Sequence, residues 1–239
     1  MVPLQHNTAA AVDEQAVWAA AQALLLGVLA MTVGLGPLGW LAGSVYAVAT
    51  WALLGAALLR SGTVLGPADR VTLARGVLVG GVTAVVVDRV GTNMPTAVVV
   101  AVAAIALALD FVDGRVARRT GTCSAVGGWF DMELDAFLIL VLSVLVAFGL
   151  GPWVLVIGVM RYVFVAAAWV APWLVGELPP SYARKTVAAV QGIVLVAVAS
   201  GVVPFAGVLV GLALASLVWS FGRDVFWLWR NRVKVEVDV

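Results

Sequence analysis

The chain has 239 residues, 63% hydrophobic and 11% charged, with a mean hydropathy of +1.09; an ordinary soluble domain carries about 25% charged residues, so composition points to a polytopic membrane protein. The net charge of +1 comes without any basic run or stripe, which argues against a nucleic-acid partner. Cys123 and His6 are each the single residue of their kind, so no intramolecular disulfide, thiolate metal site or histidine-rich centre is expected, and the chemistry falls on carboxylates.

The first fourteen residues hold no Lys or Arg and include Asp13 and Glu14, unlike a secretory signal peptide. Residues 1–14 are expected as a polar, disordered lead-in. The runs 15–34 and 38–59 are apolar and close to the ~20 residues of a spanning helix. Gly34-Leu35-Gly36-Pro37 between them is a turn. The segment 15–60 thus predicts a helical hairpin, read as a packing or stability element without a chemical role.

Residues 60–68 form a polar linker, after which a helix restarts at Pro67-Ala68-Asp69 with Asp69 as the expected N-cap. The span 71–87 carries Gly76 and Gly80 at the small-xxx-small spacing of close helix contacts. Asp88 to Pro95 is expected as a loop. A helix then runs from Pro95 into the most polar stretch of the chain, and its successor ends near Gly149–Pro152. Spans at 153–175, 186–203 and 205–228 follow, with linkers at 177–185 and 201–204 and a cytoplasmic tail at 231–239. The count is eight helices.

With the N-terminus in the cytoplasm, Arg60, Arg70, Arg75, Arg115, Arg118, Arg119, Arg184, Lys185, Arg230, Arg232 and Lys234 fall on the inner side and only Arg89 outside. Arg161 lies within a span, and Arg223 near an inner end. This is the positive-inside asymmetry. It predicts a protein of the plasma membrane with the polar stretch at the cytoplasmic face.

That stretch, residues 110–135, holds Asp110 and Asp113 three apart and Asp131 and Asp135 four apart. Either spacing puts both carboxylates on one face of a helix. Asp110 is fifteen residues from Pro95, ~22 Å along a helix, and Asp135 fourteen from Gly149, ~21 Å. An antiparallel pair therefore sets Asp110 level with Asp135, and Asp113 level with Asp131. Clustered charge at the edge of hydrocarbon needs cations. Carboxylates without imidazole or thiolate suit Mg²⁺ or Mn²⁺. The bland alternative is an ion-pair network with Arg115, Arg118 and Arg119. Glu133 sits two residues from each of Asp131 and Asp135, off their face, and is assigned no catalysis.

The run Asp110-x-x-Asp113-Gly114-x-x-Ala117-Arg118, then eight residues, then Gly127-x-x-x-Asp131-x-x-x-Asp135, resembles the signature of the CDP-alcohol phosphotransferase family at every specified position. The resemblance implies an all-α membrane fold with six core helices, here within 61–230 behind the extra hairpin. It implies transfer of a phosphoalcohol from a CDP-linked donor to a second alcohol with release of CMP, aided by two Mg²⁺ or Mn²⁺ ions. It gives Asp110, Asp113 and Asp131 as ligands of the first ion, with Asp131 and Asp135 leaning toward the second ion and the acceptor. Asp135 is the implied general base. Gly114, Ala117 and Gly127 leave room for the cytidine, and Arg118 reaches a phosphate or pairs with an aspartate. Thr72 and Arg75 resemble a Thr-x-x-Arg of donor binding. Asp69 stands either as a cap or in place of an asparagine often found there, and Arg75 either binds donor or snorkels to headgroups.

Two enzymatic readings stay open. In one, a phosphatidyl group passes from CDP-diacylglycerol to a small polar alcohol in phospholipid synthesis; in the other, a soluble CDP-alcohol gives its head group to a lipid alcohol. A cation transporter is the competing class, disfavoured because the acids crowd one face rather than the midplane. Arg161, with Arg184 and Lys185, predicts a pocket for a phosphorylated acceptor, against a purely structural pairing of Arg161. A homodimer is compatible with all of these, and the acceptor is not set by the sequence.

Overall fold

The computed structural model describes residues 3–61, 66–120, 125–176 and 178–235, with side chains described from 15 onward except at 67, 68, 113–120, 125 and 233–235. Among these residues every regular element is helical: α1 (Pro3–Val33), α2 (Pro37–Ser61), α3 (Pro67–Arg89), α4 (Thr96–Thr120), α5 (Ala125–Leu150), α6 (Leu155–Val170), α7 (Tyr182–Ala199) and α8 (Ala206–Val235), with short 3₁₀ turns at Pro152–Val154 and Pro172–Val175. Among the described residues, seven helices are long and apolar enough to cross a membrane, as an integral membrane protein requires. The eight helices match the expected count, and the described apolar part of the eighth, α4, is Thr96–Val112.

Several boundaries differ from those expected. The lead-in is helical from Pro3, where Pro suits a first turn and Ala9-Ala10-Ala11 favours helix. Asp69 is not the N-cap of α3. The helix starts at Pro67 behind Gly66, and the Asp69 carboxylate reaches back to accept from the Gly66 N–H at 2.7 Å. Proline pre-sets the first helical turn, so an acid three residues past the cap does the capping from inside. The run 153–175 is not one helix. Ala171 leaves α geometry (φ −123°, ψ 81°) because Pro172 disfavours it in the residue before. At α7, Ser181 is the cap, its hydroxyl accepting from the Arg184 N–H at 3.4 Å, so Arg184 and Lys185 lie in the first turn of the helix rather than in a linker.

The chain divides into two compact units, 1–141 and 142–239, with the boundary inside α5. In the first unit α3 is the enclosed helix, packed by α1, α2 and α4. Val79, Val82, Ala84, Val85 and Val86 on it are essentially inaccessible. Gly80 permits that closeness: a Cβ there would lie 2.6 Å from Gln22 Nε2 and 2.7 Å from Tyr46 Cδ1.

Asp88 and Arg89, expected in a loop, form the last turn of α3 and clamp the α1–α2 turn. Asp88 accepts from the Gly36 and Gly39 N–H groups at 2.9 and 3.1 Å. Arg89 donates to the carbonyls of Val33, at 3.1 Å, and Gly34. The amides opening α2 and the carbonyls closing α1 lack helical partners, and each receives the charge its dipole favours. In the second unit α7 packs on α8, where buried Gln191 donates to the Ala213 carbonyl at 2.9 Å.

Candidate active site

Three helices of the first unit meet in one charged cluster. Asp131 and Asp135, four apart on α5, present their carboxylates to Asp110 of α4, and oxygens of all three lie within 4.8 Å of one another. The sequence pattern puts these acids on facing stripes, and the structure brings them together. Asp113 lies on α4 by its backbone, while its side chain, with those of Gly114, Ala117 and Arg118, is outside the described residues. Gly127 sits in the first turn of α5, one turn before Asp131. Glu133 is not in the cluster.

Among the described residues the cation in the cluster is Arg75 of α3. Its side chain is 1% exposed, against 33%, 33% and 36% for Asp110, Asp131 and Asp135. One guanidinium nitrogen lies 3.0 Å from Asp110 Oδ1 and donates to Asp131, and the other donates to Asp135. Snorkelling to headgroups is therefore wrong for Arg75. It is buried, and its planar fork suits several carboxylates at once. The sequence reading missed this pairing; the side chains of Arg115, Arg118 and Arg119, the partners named in its ion-pair alternative, lie outside the described residues. A depth count carries the missed signal. Arg75 is eight residues into α3, ~12 Å along the axis, between the ~9 Å of Asp131 and ~15 Å of Asp135 along α5. Thr72 and Asp69 precede Arg75 at three-residue steps on the same stripe of α3, and both are buried.

Among the described residues, one guanidinium meets three carboxylates. The cluster's donors are all carboxylate oxygens, the hard set that Mg²⁺ and Mn²⁺ prefer, and each of the three acids is partly exposed. The residues present thus fit a divalent ion.

The second unit holds a different cluster. Asp224 of α8 is buried and pairs with Arg184 at 3.2 Å and with Arg223 at 3.1 Å. Arg184 also donates to the Pro179 carbonyl at 2.9 Å, and Arg223 to the Ser181 hydroxyl at 3.1 Å. Arg184 is thus tied into its own unit by α8, a partner that the sequence reading did not consider. Lys185 is exposed and Arg161, on α6, is half-buried.

Comparison with known proteins adds one finding. A family model described as CDP-alcohol phosphatidyltransferase matches residues 65–219, from the start of α3 into α8. No curated protein and no solved structure matches the chain.

Proposed function

Because the chain belongs to the CDP-alcohol phosphatidyltransferase family, a family of transferases of phospholipid synthesis, we propose that it moves a phosphatidyl group from CDP-diacylglycerol to a small polar alcohol, phosphorylated in the leading case. CMP is the second product, and the reaction takes place at the cytoplasmic face of the plasma membrane. The observation that carries the reading is the cluster of Asp110, Asp131 and Asp135: three acids meeting at one point on apolar helices are costly without a cationic ligand. Asp110, Asp113 and Asp131 would hold one Mg²⁺ or Mn²⁺ and Asp131 with Asp135 a second. Such ions supply charge neutralisation for the diphosphate and lower the cost of forming an alkoxide.

The remaining work falls to the chain. The acceptor hydroxyl oxygen forms a bond to the phosphorus that carries the diacylglycerol. The bond from that phosphorus to the bridging oxygen breaks, and the bridging oxygen leaves with CMP. Asp135 takes the hydroxyl proton. Arg75, Thr72 and Asp69 form the donor-side wall on α3, with Gly114, Ala117, Arg118 and Gly127 lining the cytidine. Arg161, Arg184 and Lys185 receive the phosphate of the acceptor. Family membership weighs against the transporter reading.

The test is CMP release by the purified protein across a panel crossing CDP-diacylglycerol, CDP-choline and CDP-ethanolamine with glycerol 3-phosphate, inositol phosphate, free polyols and diacylglycerol. Release with CDP-diacylglycerol and a phosphorylated polyol is the expected result. Release only with a soluble CDP-alcohol and diacylglycerol would reverse the donor assignment.

A further inference from the structure

The α1–α2 hairpin lies outside the stretch that the family model matches, yet one of its side chains reaches the turn that carries the buried arginine. We propose that Tyr46 of α2 is a positioning residue for the carboxylate cluster: it fixes the Arg75 turn of α3 against the part of α5 that bears Asp131 and Asp135. The proposal rests on the proposed function only in treating that cluster as the metal site.

Tyr46 is 9% exposed. Its hydroxyl donates to the carbonyl of Gly76 at 2.9 Å in a buried setting, and Gly76 is the residue next to Arg75. A helical carbonyl has a second lone pair for such a donor. A buried phenol without an acceptor would be costly, so the contact holds the ring to one place along α3. The same ring packs on Phe137 with centroids 5.4 Å apart and planes at 31°, two residues beyond Asp135 on α5. Gly80, one turn past Gly76, makes the approach possible, since a Cβ there would meet the Tyr46 ring at 2.7 Å. One side chain thus touches both helices beside their charged residues. If the Gly76 contact is lost, α3 can rotate or slide at Arg75, and the carboxylates lose the fixed cation around which they are spaced.

The competing view makes Tyr46 ordinary packing of a hairpin that merely stabilises the fold. Asp88 supplies the control. It ties the same hairpin to the same helix through Gly36 and Gly39, but twelve residues from Gly76, ~18 Å along the axis. A stability effect alone would make Tyr46→Phe and Asp88→Asn alike; a positioning effect separates them.

The experiment uses the full chain in nanodiscs, with Cys123 replaced by serine and spin labels at exposed Arg70 on α3 and Trp129 on α5. Without added metal, Tyr46→Phe is expected to broaden the distance distribution between the labels, while Asp88→Asn leaves it unchanged and lowers Tm. Titration with Mn²⁺ alone, followed by its electron resonance signal, should show Tyr46→Phe binding about three- to tenfold more weakly, the scale of one lost hydrogen bond. Tyr46→Leu should weaken it further, and Asp88→Asn should match the parent. An unchanged distribution in Tyr46→Phe, unchanged or tighter Mn²⁺ binding, or equal effects from Asp88→Asn would overturn the proposal. The distance measurement needs neither metal nor donor, so it judges Tyr46 even if the parent bound no Mn²⁺, an outcome that would count against the proposed function instead.

Discussion

The two units carry arginine–aspartate clusters with opposite balances. Among the described residues of the first, one arginine at 1% exposure is enclosed and three carboxylates are about a third exposed. In the second, one aspartate at 12% side-chain exposure is enclosed and two arginines at 35% and 36% face outward. The described part of the first cluster is richer in carboxylates, and the second is richer in guanidinium groups, which donate to Asp224, Pro179 and Ser181. In a chain with 11% charged residues such placement is costly unless paired. Identical residue types therefore do different jobs according to which partner is buried.

Removing a carboxylate from the first cluster is the strongest way to break this contrast. Asp131→Asn keeps the volume and removes one of the carboxylate charges, so transfer should fall by more than about a hundredfold, the scale of losing transition-state charge stabilisation. Asp113→Asn is expected to do the same if its side chain joins the cluster. CMP release, measured on protein that stays monodisperse in detergent, decides it; near parental turnover would end the metal-ligand assignment. Dialysis against EDTA should abolish release in the unaltered protein, with Mg²⁺ or Mn²⁺ restoring it. Full turnover in excess chelator would contradict a divalent site.

Arg75→Gln comes next. It removes the enclosed cation and leaves three carboxylates facing each other, at a cost of up to about 3 kcal/mol. The variant should melt lower without metal, and added Mg²⁺ should narrow the gap, because a divalent ion supplies the missing charge. A gap that Mg²⁺ leaves untouched would make Arg75 a packing residue that happens to lie near acids.

How far the sequence carries depends on the kind of relation involved. The carboxylate stripes were legible because i, i+3 and i, i+4 spacing is a property of one helix. Most of the helices were legible too, since ~20-residue apolar runs have few alternatives. Arg75 with Asp110, Tyr46 with Gly76, and Asp88 with Gly36 were not, because each pairs different helices and no spacing along the chain records it. The break at Ala171 could have been read from Pro172, but the apolar run around it hides the stop. Arg184 was misplaced in a linker for a similar reason: Pro179-Pro180 marks the loop, and the cap at Ser181 follows at once.

In the second unit, a phosphate site and a brace are separated by smaller effects. Arg161→Ala, assayed at saturating donor, should raise KM for a phosphorylated acceptor about tenfold while kcat and donor KM hold, the pattern of lost ground-state binding. Equal loss of donor binding and stability would make Arg161 structural and favour a neutral acceptor.

Asp224→Asn should have the smallest effect, and its sign is informative. The amide keeps the size but has one acceptor oxygen where Arg184 and Arg223 now reach two different ones, so it keeps one of the two contacts and no longer offsets their charge. If Asp224 only braces α7 against α8, the variant loses stability of about 1–2 kcal/mol, in the range of a charge-assisted contact, and KM for the acceptor stays put. If the two arginines also face an anion, a less neutralised pair should bind it more tightly, and KM for a phosphorylated acceptor should fall by about twofold to threefold, as a modest gain in local positive charge allows. KM for the donor should not move in either case. A fall in Tm together with a lower acceptor KM would mark the cluster as both brace and anion site; a rise in acceptor KM would mean that the geometry held by Asp224 matters more than the charge it removes.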